Sequence, residues 1–395
     1  MSIRADLTTS SDLWRWSATA LRDAIRRGDV SVTEVVSAHL DRAAAVNASV
    51  NALVEVSADE ALDTARALDA RPAPSRTGLL HGVPTAVKDN TDQAGHRNTN
   101  GIAAAADNVA ARDASVVAAM RAHGAVFVGR TNLPSFGLRW FSENELFGRT
   151  LNPWTRDRSP GGSSGGAAAA VASGIVPVAH ANDIGGSIRY PAALCGVAGI
   201  RPTVGRIPKW AAPSAVNLAP SLAETVMAVE GPIARHVHDL RVALEAMSQY
   251  DPRDPASVPV GRLDEQPLPA GARVAVVRDV PDVQTCAAAL DALDTAAGWL
   301  KDAGYEIVEL DVPEIAEAHR LWQLLLFEEL RPALAELSER GGEQLGDSLV
   351  NNFAIAEPVW GPAPTLEDVM QRHGEMATEL RALESHEERR AAAAA

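Results

Sequence analysis

Ser159-Pro160-Gly161-Gly162-Ser163-Ser164-Gly165-Gly166, followed after an alanine-rich run by Asp183-Ile184-Gly185-Gly186-Ser187-Ile188-Arg189-Tyr190-Pro191, is the stretch that organises this chain. Ser187 lies 24 positions after Ser163. Between them, Gly165 to Ser173 reads as a helix. Ile175 to Ala179 reads as a strand that delivers Asp183 and the second cluster at its far end. Glycine lets backbone N–H groups face a site without a Cβ in the way. Successive N–H groups pointing one way make an anion-binding nest. A serine beside such a nest has what acyl transfer needs, a nucleophile and donors for the oxyanion it creates. Taken alone, Gly-Gly-Ser-Ser-Gly-Gly is also a linker composition, and Asp-Ile-Gly-Gly-Ser is also a turn. Both in one short interval, with a lysine in a fitting context upstream, favour a site.

That lysine stands in Leu80-His81-Gly82-Val83-Pro84-Thr85-Ala86-Val87-Lys88-Asp89-Asn90. Thr85 to Val87 is short, apolar and β-prone, so it reads as a buried strand with Lys88 at its end. A lysine at a strand end is ordinarily solvated, but a buried one loses its charge and can act as a neutral base. Ser187 follows two glycines, so the amides of Ile184, Gly185, Gly186 and Ser187 are expected to form an oxyanion hole. This makes Ser187 the better nucleophile. A serine hydroxyl needs a base, and Ser-Lys pairs are an alternative to Ser-His-Asp. Lys88, relaying through Ser163, is the candidate.

Competing chemistries fit less well. Gly161 to Gly165 also matches the Gly-x-Ser-x-Gly elbow of α/β-hydrolases, which requires a strand directly before the serine. Here Asn152 to Pro160 reads as a loop. The downstream histidines His236, His238, His319 and His373 are only generic partners. Neither the P-loop nor the dinucleotide glycine pattern occurs, and the ten histidines show no metal-ligand spacing. No metal and no cofactor is expected.

With 395 residues, 46% of them hydrophobic, the chain can bury a large core in one large domain or two smaller ones. A net charge of −15 argues against nucleic acid as a partner. Cys195 and Cys286 are the only cysteines, which excludes a disulfide framework. Met1 to Asp6 lacks the apolar region of a signal peptide, and the alanine-rich segments are too short or too polar to span a bilayer. A soluble cytoplasmic protein, not bound to membrane, is the expectation.

Along the chain, Trp14 to Arg27 reads as a helix stopped by Gly28. Ser31-Val32-Thr33-Glu34 has the capping-box pattern and opens a helix to about Val46. Ser57-Ala58-Asp59-Glu60 repeats that pattern for a third helix ending near Ala70. Ala114 to His123 reads as a helix, Ala125 to Val128 as a strand and Gly129 to Pro134 as a loop. Phe136, Leu138, Trp140 and Phe141 then cluster, in a chain only 4% aromatic. They form either a core patch or an apolar pocket wall. Ile233 to Met247 reads as a helix, Arg273 to Val277 as a strand, Ala287 to Ala303 as a helix and Glu306 to Leu310 as a strand. Leu321 to Leu337 reads as an amphipathic helix, and Ala391 to Ala395 is low complexity. Helices and strands alternate, which is an α/β pattern.

The segments Gly82-Val83-Pro84 through Lys88-Asp89, Gly129-Arg130-Thr131-Asn132, the two serine clusters, Cys195-Gly196-Val197 through Arg201-Pro202-Thr203, and Val229-Glu230-Gly231-Pro232-Ile233-Ala234-Arg235 together resemble the amidase signature family. The likeness covers roughly Leu13 to Met247. It implies a large, mixed, twisted β-sheet flanked by helices on both faces. It implies a Ser–cis-Ser–Lys triad of Ser187 as nucleophile, Ser163 as bridge after a cis peptide, and Lys88 as base. Ser164, Asp183 and Arg189 are its implied supports. Phe136, Trp140 and Phe141 are the expected pocket wall. The implied activity is hydrolysis of a small, partly apolar amide through an acyl-enzyme. A carbamate or cyclic oligoamide hydrolase and the catalytic component of a tRNA-dependent amidotransferase are the alternatives. Family members often form dimers, so a homodimer is one candidate assembly, and the oligomeric state is left open by the sequence. One amidase-type domain over 1–395 is expected, with a helical layer over 1–75, a catalytic core over 76–250, a linker loop over 251–272 and an α/β part over 273–395. Residues 361–395 do not resemble the further C-terminal section that family members usually carry, so that last part is expected to be shortened.

Overall fold

The computed structural model describes residues 10–214, 222–261, 271–280 and 284–315, with the single positions 263, 269, 318, 322, 325 and 326. Where one domain is expected, the described residues divide into two compact units, one up to Leu263 and the other from 269 onward. The first unit begins with helices α1 (Ala18–Arg27) and α2 (Val32–Val50), strand β1 (Leu53–Val56) and helix α3 (Ala58–Asp69). Strand β2 (Pro84–Lys88), helix α4 (Ser115–Ala122) and strand β3 (Val126–Thr131) follow. Next come a short hairpin of β4 (Glu143–Asn144) and β5 (Gly148–Arg149), helix α5 (Gly165–Ala172), strand β6 (Val178–Asp183) and helix α6 (Arg189–Cys195). The unit continues with β7 (Ala198–Gly199), α7 (Leu222–Met227), β8 (Val229–Ala234) and α8 (Val237–Met247). In the second unit, β9 (Arg273–Val276) and β10 (Glu306–Glu309) pair in parallel, connected through α9 (Ala287–Asp302). A helical crossover is what parallel pairing demands.

The main sheet has six strands in the order β1-β3-β2-β6-β8-β7. The centre, β3-β2-β6, is parallel, and the outer pairings are antiparallel. Pleating sends alternate residues to opposite faces, and both faces are covered. Ala86, Val126, Val128, Ala179 and Ala181 meet side chains of α1, α2, α3 and α5. Val87, Phe127 and Val178 meet those of α4 and α8. This is the expected mixed sheet with helices on both sides. The alanine-rich α5 is buried along nearly its whole length. Its glycines permit that closeness, since a Cβ on Gly166 would lie 2.4 Å from the Asn132 amide nitrogen.

Local chemistry moves several boundaries. At α2 the capping box forms: Ser31 Oγ accepts from the Glu34 N–H at 3.1 Å, and Glu34 Oε2 accepts from the Ser31 N–H at 2.8 Å. The helix runs on to Val50, past the expected Val46. At α3 the same letters do not form a cap, because Ser57 makes no side-chain capping bond. Gly129 to Thr131 are strand rather than loop, because β1 pairs alongside and prolongs β3. Ile233 and Ala234 belong to strand β8, so the helix expected from Ile233 starts at Val237. The layer over 1–75 therefore contributes a strand as well as helices. The helix expected over Leu321 to Leu337 falls largely outside the described residues, and the alanine tail falls wholly outside them. Among the described residues no helix is long and apolar enough to cross a membrane.

An imidazole ties the loop after β2 to this layer. His96 Nδ1 lies 2.5 Å from Glu55 Oε1 on β1, and Nε2 lies 2.6 Å from Glu60 Oε2 on α3. Carboxylates only accept, so both bonds form only when both ring nitrogens carry hydrogen. The bond to Glu55 is the main cause that raises the histidine above its ordinary value. The clamp is fully present below about pH 6.5, the unfolded histidine value. It is lost as pH rises through the higher folded value. The stability gap between wild type and His96→Asn, read from urea midpoints, should therefore narrow as pH rises above about 6.5. A gap independent of pH would overturn this account.

Candidate active site

Strands β2 and β6 are parallel neighbours, and Lys88 and Asp183 stand at their carboxyl ends. In open α/β sheets that edge is where ligands bind. Lys88 is fully buried. Its Nζ lies 2.6 Å from Ser163 Oγ and 2.6 Å from Asn182 Oδ1. Burial pushes the amine down to about 7, against the opposing pull of Glu230 and Asp183. Beside it, the Lys88 N–H donates to His180 Nδ1 at 3.4 Å. A ring nitrogen that accepts carries no hydrogen, which assigns the imidazole proton to Nε2, 2.7 Å from Glu230 Oε2.

The Ser163 loop is held mainly through its own backbone, by side chains of neighbouring residues. The Gly162–Ser163 peptide is cis. Ser142 Oγ sits 3.2 Å from Gly161 O and 3.3 Å from Ser163 O, and accepts from the Gly165 N–H at 3.0 Å. A Cβ at Gly162 would lie 2.5 Å from the Phe141 nitrogen, so only glycine fits there. From the other side, Cys195 Sγ donates to Pro160 O at 3.4 Å. Burial pushes that thiol up to about 12, which leaves it unreactive. Behind Lys88, the buried Arg130 donates through Nε to Asp89 Oδ1 at 3.0 Å and through Nη2 to Thr91 O at 2.8 Å. Thr99 Oγ1 also donates to Asp89.

Asp183 organises the second serine loop. It accepts from the Gly186 N–H at 2.8 Å, the Ile188 N–H at 3.0 Å, and Arg189 Nε and Nη2 at 3.0 and 2.8 Å. Burial acts to raise this carboxyl, but the Arg189 fork and the two amides outweigh it and hold it below the usual range. The two loops meet where the Ser164 N–H donates to Ser187 O at 3.2 Å. Ser164 Oγ donates to Asn182 O at 3.3 Å.

The expected residues thus gather at one sheet edge, with two differences. The Gly186 amide is committed to Asp183, which removes it from the expected oxyanion donors. Among the described residues, the Gly185 and Ser187 amides donate to no other group. Ser187 is buried, but its Oγ makes no hydrogen bond among the described residues. The two loops are therefore linked here through the Ser164 N–H and Ser187 O, and no hydrogen bond among the described residues joins Ser163 to Ser187. Catalytic hydrogen bonds often tighten only with substrate in place. Of the expected pocket residues, Trp140 is half exposed and donates from its indole to Gly185 O at 3.0 Å. Phe141 lies under the Arg139 guanidinium, 5.6 Å away. Phe136 adopts φ 58°, and its N–H donates to Asn100 O at 2.8 Å. The sequence reading missed Asn182, Asn90, Ser142 and the Asp89–Arg130 pair. The one available signal was that Asn182 and Asp183 adjoin at a strand end, where alternation sends one of them toward Lys88.

The Amidase family model matches residues 34–395. The chain is 47% identical to an indoleacetamide hydrolase of Bradyrhizobium diazoefficiens, over 78% of this chain and 59% of that protein. It is 36% identical to a glutamyl-tRNA(Gln) amidotransferase component of Thermobifida fusca, over 85% of this chain and 68% of that one. A bacterial aryl acylamidase of the amidase signature enzymes superposes with a TM-score of 0.78 at 29% identity, over 95% of this chain and 78% of the other. The chain thus spans somewhat over half the length of the indoleacetamide hydrolase it matches.

An amine that loses its proton near 7 gives the site a pH signature. Serine reactivity toward a fluorophosphonate should rise with pH through about 7, as Lys88 becomes neutral. A flat profile, or a rise only near pH 10, would contradict an uncharged Lys88.

Proposed function

The chain belongs to the amidase family, and from that premise we propose that it hydrolyses the amide of a small, partly apolar carboxylic acid through a seryl acyl-enzyme. The observation that carries this reading is the 2.6 Å contact between the buried Lys88 amine and Ser163 Oγ. Lys88 takes the Ser163 hydroxyl proton as Ser163 takes that of Ser187. Ser187 Oγ bonds to the carbonyl carbon, and the C=O electron pair moves to oxygen. Gly185 and Ser187 supply the amides that meet this oxyanion; one such donor is worth roughly 10²–10³ in rate. The proton returns from Lys88 through Ser163 to nitrogen, the C–N bond breaks and the amine leaves. Water then attacks the acyl carbon and releases the acid and Ser187. Asp183 and Arg189 keep the second loop in shape, and Ser164 ties it to the first.

Trp140, Phe136 and Phe141 favour an aryl or arylalkyl acyl group, with an apolar wall beside the oxyanion loop. Likeness to an indoleacetamide hydrolase supports the same choice. Indoleacetamide is therefore the first substrate to test. The amidotransferase reading has support in the likeness to the Thermobifida protein, but at lower identity, 36% against 47%. The protein alone, without ATP or tRNA, should release ammonia and the acid. Turnover that appears only with ATP, glutamine and charged tRNA would favour the amidotransferase.

The leaving nitrogen needs a proton more than a leaving alkoxide does. Lys88→Ala should therefore depress hydrolysis of an amide far more than that of the matched ester. Equal losses in kcat/KM on the two would remove Lys88 from the role of leaving-group acid.

A further inference from the structure

We infer that Asn182 is a positioning residue for Lys88, holding one N–H of the neutral amine so that the lone pair faces Ser163. The inference rests on the reading of Lys88 as a base and extends it to a residue that reading does not require. A neutral amine has two hydrogens and one lone pair. Among the described residues, two polar atoms lie within hydrogen-bond distance of Nζ: Ser163 Oγ and Asn182 Oδ1, each at 2.6 Å. An amide oxygen can only accept. Asn182 therefore takes an N–H, and the lone pair is left for the serine hydroxyl.

The asparagine is itself fixed. Its Nδ2 donates to Asn90 Oδ1 at 3.0 Å. Flipping the amide would set two oxygens face to face at Asn90 and turn its NH₂ toward the amine's lone pair, taking it from Ser163. The chain Asn90–Asn182–Lys88–Ser163 thus has a direction. The same carbonyl also supports the ammonium that forms when Lys88 receives a proton. No carboxylate lies within ion-pair distance of Nζ among the described residues. The charged and titratable groups around Lys88 are Glu230 on β8, Asp183 and His180 on β6, and the Asp89–Arg130 pair at the end of β2 and on β3. The first two act at longer range, so the neutral groups in direct contact, Asn182 and Ser163, set the local basicity of the amine.

Labelling with a fluorophosphonate tests this without knowledge of the substrate. The seryl oxygen bonds to phosphorus and fluoride leaves. Rates are measured against pH for wild type, Asn182→Asp and Asn182→Leu, with thermal unfolding run in parallel. Asn182→Asp keeps the shape but puts a negative charge on the amine. It should move the midpoint upward by at least about one pH unit. Asn182→Leu removes the acceptor. It should move the midpoint downward and cut the plateau rate about 10²-fold. Opposite shifts support the inference. Midpoints that stay with wild type, or move the same way in both variants, overturn it. If the leucine variant does not fold, the aspartate variant decides alone, an upward shift supporting and an unchanged midpoint refuting. A wild-type protein that takes no label at Ser187 at any pH would sink the parent reading, and this inference with it.

Discussion

Among the described residues no countercharge touches the Lys88 amine, and that is the constraint from which the site follows. A charged lysine deep in a protein is costly unless a carboxylate or several oxygens meet it. Lys88 meets one hydroxyl and one amide oxygen. The nearest carboxylates act across a distance and do not offset its burial. The protein resolves the conflict by letting the amine give up its proton near neutrality. That depends on the sheet: β2 lies between two parallel strands, and helices cover both faces. Open the sheet edge to water and the charge returns.

Glycine and close backbone contact do the rest of the positioning. The Ser163 loop fits because Gly162, Gly165 and Gly166 have no side chains to keep Phe141, Ser142 and Asn132 away. The Ser187 loop takes its shape from Asp183, which satisfies two loop amides and the Arg189 fork at once. That carboxylate competes for the donors an oxyanion would use. The competition explains why the set of amides left over is smaller than a glycine count suggests.

Much of this was legible in the sequence. The two serine clusters, the lysine at a buried strand end and the capping box at Ser31 are local signals, and local structure honours them. What the sequence left unread depends on partners remote in the chain. Gly129 to Thr131 look like a loop until β1 lies beside them. Ser57 has the letters of a cap but makes no capping bond. Arg130 is one more residue of an expected loop until Asp89 and Thr91 meet its guanidinium. Asn182 is an ordinary polar residue until β6 sets it against Lys88, 94 positions earlier. The commitment of the Gly186 amide to Asp183 is set by the backbone path of the folded loop, which no spacing of letters encodes.

In the proposed mechanism, the serine interposed between amine and nucleophile has a chemical consequence. An uncharged alkylamine is a stronger trap for an acyl group than water. Paired directly with Ser187, Lys88 would stand beside the ester it helps to form. Capture of that ester would convert it into a permanent amide and end turnover. In the proposed mechanism Ser163 passes the proton, so that the nitrogen need not approach the acyl carbon. On this view the relay serves as insulation: it lets a reactive base survive next to the electrophile it generates.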